Sequence, residues 1–154
     1  ELAALTGRRF VDMDDFIEKE AGMTVSEIFR RYGEADFRRR ERACCMKLAG
    51  EKGLVIAAGG GALTFSENVE ALKESGIIVF LRVSPETVLR RLEGDTTRPL
   101  LQRPDKEVAV RTLMAERAPL YQRASDVVIS GEGDAREVAS RILEAAKQAE
   151  DTDR

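Results

Sequence analysis

Leu54-Val55-Ile56-Ala57-Ala58-Gly59-Gly60-Gly61 joins a short apolar run to three consecutive glycines. A run this short and this apolar predicts a strand buried on both faces, as in a parallel sheet. Three glycines in a row cost backbone entropy and offer no side chain to pack, so we expect another group to approach the main chain closely there. Their amides can also donate to an anionic ligand. A plain strand-to-helix turn usually needs only one glycine, and we therefore favour a ligand site over that structural alternative.

Similar apolar runs recur along the chain and alternate with longer amphipathic stretches. We predict strands at 9–12, 54–58, 77–81 and 126–129 and helices at 14–21, 24–32, 34–49, 105–123 and 134–148, with another helix starting at Ser84-Pro85. In the 34–49 helix, one face carries Phe37, Cys44, Cys45 and Leu48. Strand–helix alternation with long crossovers predicts an α/β fold, a parallel sheet in a three-layer α/β/α sandwich. We place a single domain at residues 1–149 and a frayed polar tail at 150–154.

Composition excludes several classes of protein. The chain has 154 residues and a net charge of −3, which gives no support to non-specific binding of nucleic acid. No run approaches the roughly 18 apolar residues of a membrane span, and we recognise no signal peptide. Adjacent Cys44 and Cys45 would form a disulfide only with strain, so we expect a cytoplasmic protein, and by default a monomer. The chain contains no histidine, which excludes histidine acid–base chemistry and histidine zinc sites.

Two carboxylates, Asp12 and Asp14, lie where the 9–12 strand ends, which is the ligand-facing edge of an open α/β sheet. Alternate residues of a strand point the same way, so both side chains are candidates to face one crevice. One carboxylate can hold a hydrated Mg²⁺ ion, and the other can accept a hydrogen bond from a substrate hydroxyl and orient it. Helix capping by Asp14 or Asp15 is the alternative, and the local sequence does not separate the two interpretations.

Arginines supply the opposite charge. Arg38 belongs to a charged helical run that is mostly a solvated face, but Glu41, one turn later, can hold its guanidinium toward the crevice for bidentate capture of a carboxylate. Arg117 precedes Pro119, where we expect the helix to distort, and is a candidate to face the same crevice. We expect the nearby Tyr121 to pack rather than to react.

The polar stretch at 94–104 interrupts the helical pattern and contains Arg98. Such a segment is either an ordinary connection or a mobile lid. An arginine on a lid can close over a transferring phosphate and stabilise the developing charge, which makes Arg98 a catalytic candidate.

Taken together, five motifs resemble a shikimate kinase: Asp12-x-Asp14, Gly33-Glu34-x-x-Phe37-Arg38-x-x-Glu41, Gly59-Gly60-Gly61, Arg98-Pro99-Leu100-Leu101 and Arg117-Ala118-Pro119-Leu120-Tyr121. Each motif alone is weak, but their order and spacing from about residue 2 to residue 143 are specific. The resemblance implies a nucleoside-monophosphate-kinase-like P-loop fold with a five-stranded parallel sheet in the order 2-3-1-4-5. It also implies transfer of the γ-phosphate of ATP to the 3-hydroxyl of shikimate, on the route to aromatic amino acids.

The resemblance also implies a role for each candidate residue. Asp14 would bind the shikimate hydroxyls and act as the orienting group or base, and Arg38 and Arg117 would clamp the carboxylate. The backbone of Gly59, Gly60 and Gly61 would line the pocket, and Asp12 would support Mg²⁺, through water. Arg98 would reach the phosphates, and Arg91 is a weaker candidate beside the adenine.

The chain departs from the family pattern at the nucleotide's phosphates, because no Gly-x-x-x-x-Gly-Lys-Ser/Thr loop occurs in the 154 residues. Residues 1–10 resemble the end of the family's first helix, so we expect strand 1 and the P-loop to be missing. Losing a central strand would cost more than the roughly 5–15 kcal/mol that stabilises a typical domain. We therefore expect this chain to be aggregation-prone and its activity to be impaired.

Two other functions stay open from the sequence. One is a non-catalytic module that binds shikimate for regulation, and the other is a related small-molecule kinase such as gluconate kinase. The pairing of Arg38 and Arg117 with the triple glycine argues against the second of these.

Overall fold

The computed structural model describes residues 1–93 and 104–152, and its strands and helices alternate along the chain. The strands are β1 (Arg9–Asp12), β2 (Leu54–Ala57), β3 (Val79–Arg82) and β4 (Val127–Ser130). The helices are α1 (Leu2–Thr6), α2 (Met13–Ala21), α3 (Val25–Ala49), α4 (Ser66–Ser75), α5 (Pro85–Arg91), α6 (Lys106–Ala124) and α7 (Ala135–Thr152). A 3-10 turn at Ala62–Thr64 leads from the triple glycine into α4.

The strands pair in parallel, in two groups. β1 pairs with β2, with Arg9 opposite Leu54 and Asp12 opposite Ala57. β3 pairs with β4, from Val79 opposite Val127 onwards. Within the described part of the chain these pairs form two separate two-stranded sheets. The structure confirms the predicted α/β class. In the family order 2-3-1-4-5, strand 2 pairs with strand 3 and strand 4 pairs with strand 5. The pairs β1–β2 and β3–β4 are the same two pairings.

The predicted elements are close to the observed ones, with local differences that have physical causes. The stretches at 24–32 and 34–49 join in one helix, α3, across a kink at Gly33, whose φ of 84° is left-handed. β3 begins at Val79, because the N–H of Ile78 donates to the Asp126 side chain at 2.8 Å instead of to a strand. We did not predict α4 individually. Residues 150–152, assigned above to the tail, continue α7.

Helix α6, which carries Arg117, runs through Pro119 to Ala124, within one residue of the predicted end, and the distortion expected at Pro119 stays a prediction. One expectation about a site-bearing segment was wrong. Asp14 does not lie on a strand, because α2 begins at Met13 and places Asp14 in its first turn. The strand alternation that we used for Asp12 and Asp14 therefore does not apply to this pair.

The main hydrophobic core lies where α2, α3 and α4 pack together with the first sheet. Its buried members are Met13, Ile17, Ile28, Phe37, Cys44, Cys45, Leu48, Ala62, Leu72 and Ile78. The predicted apolar face of α3 is thus confirmed. One charged residue, Glu41, lies on the same face and is only 1% exposed. In the described ranges, no helix combines the length and the apolar character needed to cross a bilayer.

Candidate active site

The two aspartates at the end of β1 have different surroundings. The Asp12 carboxylate accepts a hydrogen bond from the backbone N–H of Asp15 at 3.1 Å and so caps α2. The alternative interpretation, in which Asp14 or Asp15 caps this helix, was wrong, because the cap is Asp12. Asp14 instead lies beside the triple glycine: a Cβ placed on Gly59 would be 3.1 Å from Asp14 Oδ1. The first turn of α2 therefore delivers the Asp14 carboxylate to the glycine segment.

Side chains of the protein itself crowd the three glycines. A Cβ on Gly60 would lie 2.6 Å from the NH1 atom of Arg117, and one on Gly61 would lie 2.8 Å from the NH2 atom of Arg38. None of the three has a left-handed φ. The glycines are therefore required for close approach and not for an unusual backbone conformation. The structure shows the close approach that the sequence predicts and identifies the groups that make it.

Arg38 is held between helix α3 and the glycine segment. Its NH1 group donates to Glu41 Oε1 at 2.9 Å, and its Nε atom lies 3.6 Å from Glu34 Oε1. The side chain is 24% exposed. Nε is buried and makes no hydrogen bond within residues 1–93 and 104–152. A fixed guanidinium with a donor still available is suited to binding a carboxylate.

Glu41 is a buried carboxylate surrounded by charges of both signs. Burial raises its pKa above the ordinary value of 4.5, and the nearby Asp14 charge raises it further. The hydrogen bond and charge of Arg38, together with the charge of Arg117, lower the pKa, but burial has the larger effect. The contact between Glu41 and Arg38 is the one expected from their spacing on the helix. These interactions place Asp14, Glu41 and both arginines within one electrostatic cluster.

Tyr121 contributes more to this site than the packing role we expected. Its hydroxyl donates a hydrogen bond to the carbonyl oxygen of Gly60, and its ring meets the edge of Phe80 with 5.4 Å between centroids. A side chain four residues from Arg117 lies on the same face of α6. That spacing was the available sequence signal, and it indicates that α6 contacts the glycine segment through two side chains.

The structure thus brings together most of the predicted site residues and separates others from them. Asp14, Arg38, Arg117 and the triple glycine converge. Arg91 lies elsewhere: its NH2 group donates to the carbonyl oxygens of Gly131 and Gly133 at 2.7 and 3.1 Å, in the segment after β4. Arg98 and all but the last residue of the 94–104 stretch lie outside the described residues.

The chemistry of the cluster is that of a site for a hydroxylated anion. Two guanidinium groups can bind a carboxylate, backbone amides of the glycine segment can donate hydrogen bonds, and the carboxylate of Asp14 can accept one from a hydroxyl. The described part of the chain has no group of three or more cysteine, aspartate or glutamate side chains that could enclose a metal ion.

Comparisons with known proteins agree on one family. The family model for shikimate kinase matches residues 1–147. The shikimate kinase of Halorhodospira halophila is 45% identical over 146 residues, which cover 94% of this chain and 82% of that protein. A solved structure titled as shikimate kinase from Acinetobacter baumannii in complex with shikimate is 42% identical, with a TM-score of 0.88 over 94% of this chain and 81% of that one. The shikimate kinase structure from Bacteroides thetaiotaomicron is 32% identical, with a TM-score of 0.85 over 95% of this chain and 88% of that one. The chain therefore belongs to the shikimate kinase family.

Proposed function

We propose that this protein binds shikimate at the triple glycine and provides the acceptor site for transfer of the γ-phosphate of ATP to the 3-hydroxyl. The observation that carries the proposal is the convergence of Asp14, Arg38 and Arg117 on Gly59–Gly61. Family membership supports the reaction class, and the A. baumannii structure in complex with shikimate supports the substrate.

The two arginines bind the substrate carboxylate in this proposal. Arg38 approaches from α3 and Arg117 from α6, and each contacts a different glycine of the segment. Because Glu41 holds one terminal nitrogen of Arg38, the remaining donors keep a fixed direction toward the ligand. Two charge-assisted contacts to one planar carboxylate fix the orientation of the shikimate ring as well as its affinity.

Asp14 orients the attacked hydroxyl. A carboxylate accepts a hydrogen bond from the 3-hydroxyl, aligns a lone pair of that oxygen and can take its proton as the bond to phosphorus forms. Loss of the carboxylate should therefore reduce turnover much more than shikimate binding. The Asp14→Asn variant tests this role through the ratio of the two effects.

We assign the nucleotide side of the reaction to Asp12, Arg91 and Arg98. Asp12 would support Mg²⁺ through water, because its Oδ1 atom is engaged in capping α2 while its Oδ2 atom makes no hydrogen bond among the described residues. This fits the preference of Mg²⁺ for one or two carboxylates with retained waters. When bound, the ion neutralises phosphate charge. We assign Arg91 to the adenine side and Arg98 to the phosphates, as the family resemblance implies.

Binding of shikimate to the purified chain is the first test, measured by isothermal titration calorimetry in the absence of nucleotide. We expect Arg38→Ala and Arg117→Ala each to weaken binding about 10- to 100-fold, since a hydrogen bond to a charged group contributes about 1.5–3 kcal/mol. Arg39→Ala is the matched control, because Arg39 is the next residue of the same helix and pairs with Asp36 at 2.8 Å. Equal effects at Arg38 and Arg39, or the absence of shikimate binding, would overturn the assignment of the site.

Turnover is measured separately, as shikimate-dependent formation of ADP. The assay uses this chain and a version extended at its N-terminus by a Gly-x-x-x-x-Gly-Lys-Ser/Thr segment. We expect shikimate-dependent turnover in the extended version, which contains the phosphate-binding motif. Binding of shikimate without turnover in either version would favour a non-catalytic binding module. Phosphorylation of gluconate in preference to shikimate would favour the related kinase.

We also propose a monomer that acts in the cytoplasm. Cys44 and Cys45 are free and buried, which suits a reducing compartment. Light scattering coupled to size-exclusion chromatography tests the monomer, and a mass near twice 17.1 kDa would contradict it.

A further inference from the structure

One side chain beside the arginine clamp, which we define as Arg38 and Arg117, has no role in the function proposed so far. Phe65 follows the 3-10 turn after the triple glycine, and its ring centroid lies 5.4 Å from the Cζ atom of Arg38. The ring of Phe37 lies at nearly the same distance, 5.3 Å. The Arg38 guanidinium is thus placed over two aromatic rings, from α3 and from the start of α4. Cations are attracted to aromatic faces at this range.

The backbone of Phe65 is fixed on both sides. Its N–H donates to the carbonyl oxygen of Ala62 at 3.4 Å, and its own carbonyl oxygen accepts from the N–H groups of Asn68 and Val69 at 3.2 Å. The Asn68 side chain also donates to Ala62 at 3.0 Å, and Asn68 is 2% exposed. The ring therefore projects from a rigid junction between the 3-10 turn and α4, and this junction directly continues the segment that lines the site.

Arg38 needs restraint at more than one point. An arginine side chain loses roughly 2 kcal/mol of rotamer entropy when it is ordered, and Glu41 restrains one of its terminal nitrogens. Arg38 and Phe65 also line a surface groove of about 220 Å³ between α3 and α4. If the ring at position 65 is replaced by a shorter side chain, the guanidinium gains room to turn into this groove and away from the glycine segment.

We propose that Phe65 is a positioning residue for the substrate carboxylate, acting through Arg38. The inference rests on the proposed role of Arg38 in binding shikimate. Phe65 is 43% exposed, so its contribution to the hydrophobic core is small and its contact with the guanidinium is separable from folding. An exposed aromatic residue at this position is then a part of the site and not an isolated surface side chain.

Shikimate titrations of Phe65→Leu and Phe65→Tyr test the proposal. We expect the leucine variant to bind shikimate about three- to tenfold more weakly, the range of a partly exposed cation–π contact, and the tyrosine variant to remain within about twofold of the wild type. Tyr32→Leu is the matched control, because Tyr32 makes the same kind of contact with Arg40, at 5.5 Å. It should leave shikimate affinity unchanged.

A double-mutant cycle shows whether the effect passes through Arg38. In the Arg38→Ala background, Phe65→Leu should produce no additional loss. If the same loss persists there, or if Phe65→Leu binds like the wild type, Phe65 does not act through Arg38. If the leucine variant does not fold, Phe65→Trp serves instead, with an expected affinity at least equal to the wild type; a weaker affinity would overturn the proposal. Failure of the unmodified chain to bind shikimate would instead contradict the proposed function itself.

Discussion

Gly61→Ala should weaken shikimate binding by moving a single guanidinium. A Cβ at position 61 would lie 2.8 Å from Arg38 NH2, whereas ordinary contact begins at 3.4 Å, so the group must retreat by about 0.6 Å or more. The backbone of Gly61 has φ −92° and ψ −14°, which alanine adopts without strain. The displaced atoms are the end of a flexible side chain, because the three atoms nearest to the added Cβ all belong to the Arg38 guanidinium.

The displacement has different consequences for affinity and for stability. A hydrogen bond to a charged group contributes about 1.5–3 kcal/mol, so loss of the contact between Arg38 and the ligand should lower shikimate affinity by about 10- to 100-fold. The free energy of unfolding should fall by about 1–3 kcal/mol, because the 2.9 Å hydrogen bond between Arg38 and Glu41 lengthens in a buried setting. Calorimetric titration with shikimate and urea unfolding provide the two measurements.

Gly50→Ala is the matched control for this change. A Cβ at Gly50 would meet only the carbonyl oxygen of Lys47, at an ordinary 3.5 Å, and the residue has φ −77° at the end of α3. We expect wild-type shikimate affinity for this variant. If Gly61→Ala binds shikimate as tightly as Gly50→Ala, then Arg38 does not contact the ligand from its observed position, and the assignment of the clamp is wrong.

Three further predictions follow from the surroundings of the cluster. Tyr121→Phe removes only the hydroxyl that donates to Gly60, so we expect shikimate binding to weaken by about 3- to 10-fold, with a loss of stability near 1 kcal/mol, in titration and urea unfolding; unchanged affinity would show that the hydroxyl does not hold the glycine segment. Burial raises the pKa of the thiols of Cys44 and Cys45 to about 11 and about 12, so at pH 8 only about one thiol in a thousand, or fewer, is ionised, and iodoacetamide should label them only after denaturation; rapid labelling of the folded chain would contradict this. Because burial raises the pKa of Glu41 above 4.5 in the folded state, the folded chain holds its proton longer than the unfolded chain, and the wild type should lose stability relative to Glu41→Gln as the pH rises from 4.5 through the raised pKa; a difference that stays constant or grows in favour of the wild type, measured by urea unfolding at several pH values, would refute the burial argument.

The strands were predictable because their signal is local. Each observed strand begins within two residues of the apolar run that predicted it, since short apolar runs between helices are typical of buried parallel strands. The shift of β3 was not predictable, because it depends on Asp126, a residue 48 positions away that accepts from the N–H of Ile78. The continuation of α6 through Pro119 was predicted, because the charged amphipathic stretch at 105–123 extends past the proline.

The candidate site was predictable to the extent that each member carried its own sequence signal. Three glycines indicated close approach, and the spacing of Arg38 and Glu41 indicated a pair. The sequence did not show that Asp14 reaches the site from a helix turn, because the start of α2 at Met13 depends on the Asp12 cap. No sequence signal marked Phe65 as a site residue, because its proposed role depends on a contact with Arg38, which lies 27 residues earlier in the chain.

The position of Glu41 indicates why a charged residue is buried beside Arg38. Glu41 follows Phe37 by one turn on the apolar face of α3, and at 1% exposure its ionised form pays a desolvation penalty that the raised pKa records. A hydrophobic residue at this position would remove that penalty. Of the Arg38 contacts described above, it would leave the more distant Glu34 and the two aromatic rings to direct the guanidinium. The charge is therefore useful only if the direction of the Arg38 guanidinium matters more than the stability of the core. That balance is expected where a flexible side chain must meet a small anion at a fixed angle. It is consistent with the contacts of Glu41 and Phe65 to the Arg38 guanidinium and of Tyr121 to the neighbouring glycine segment.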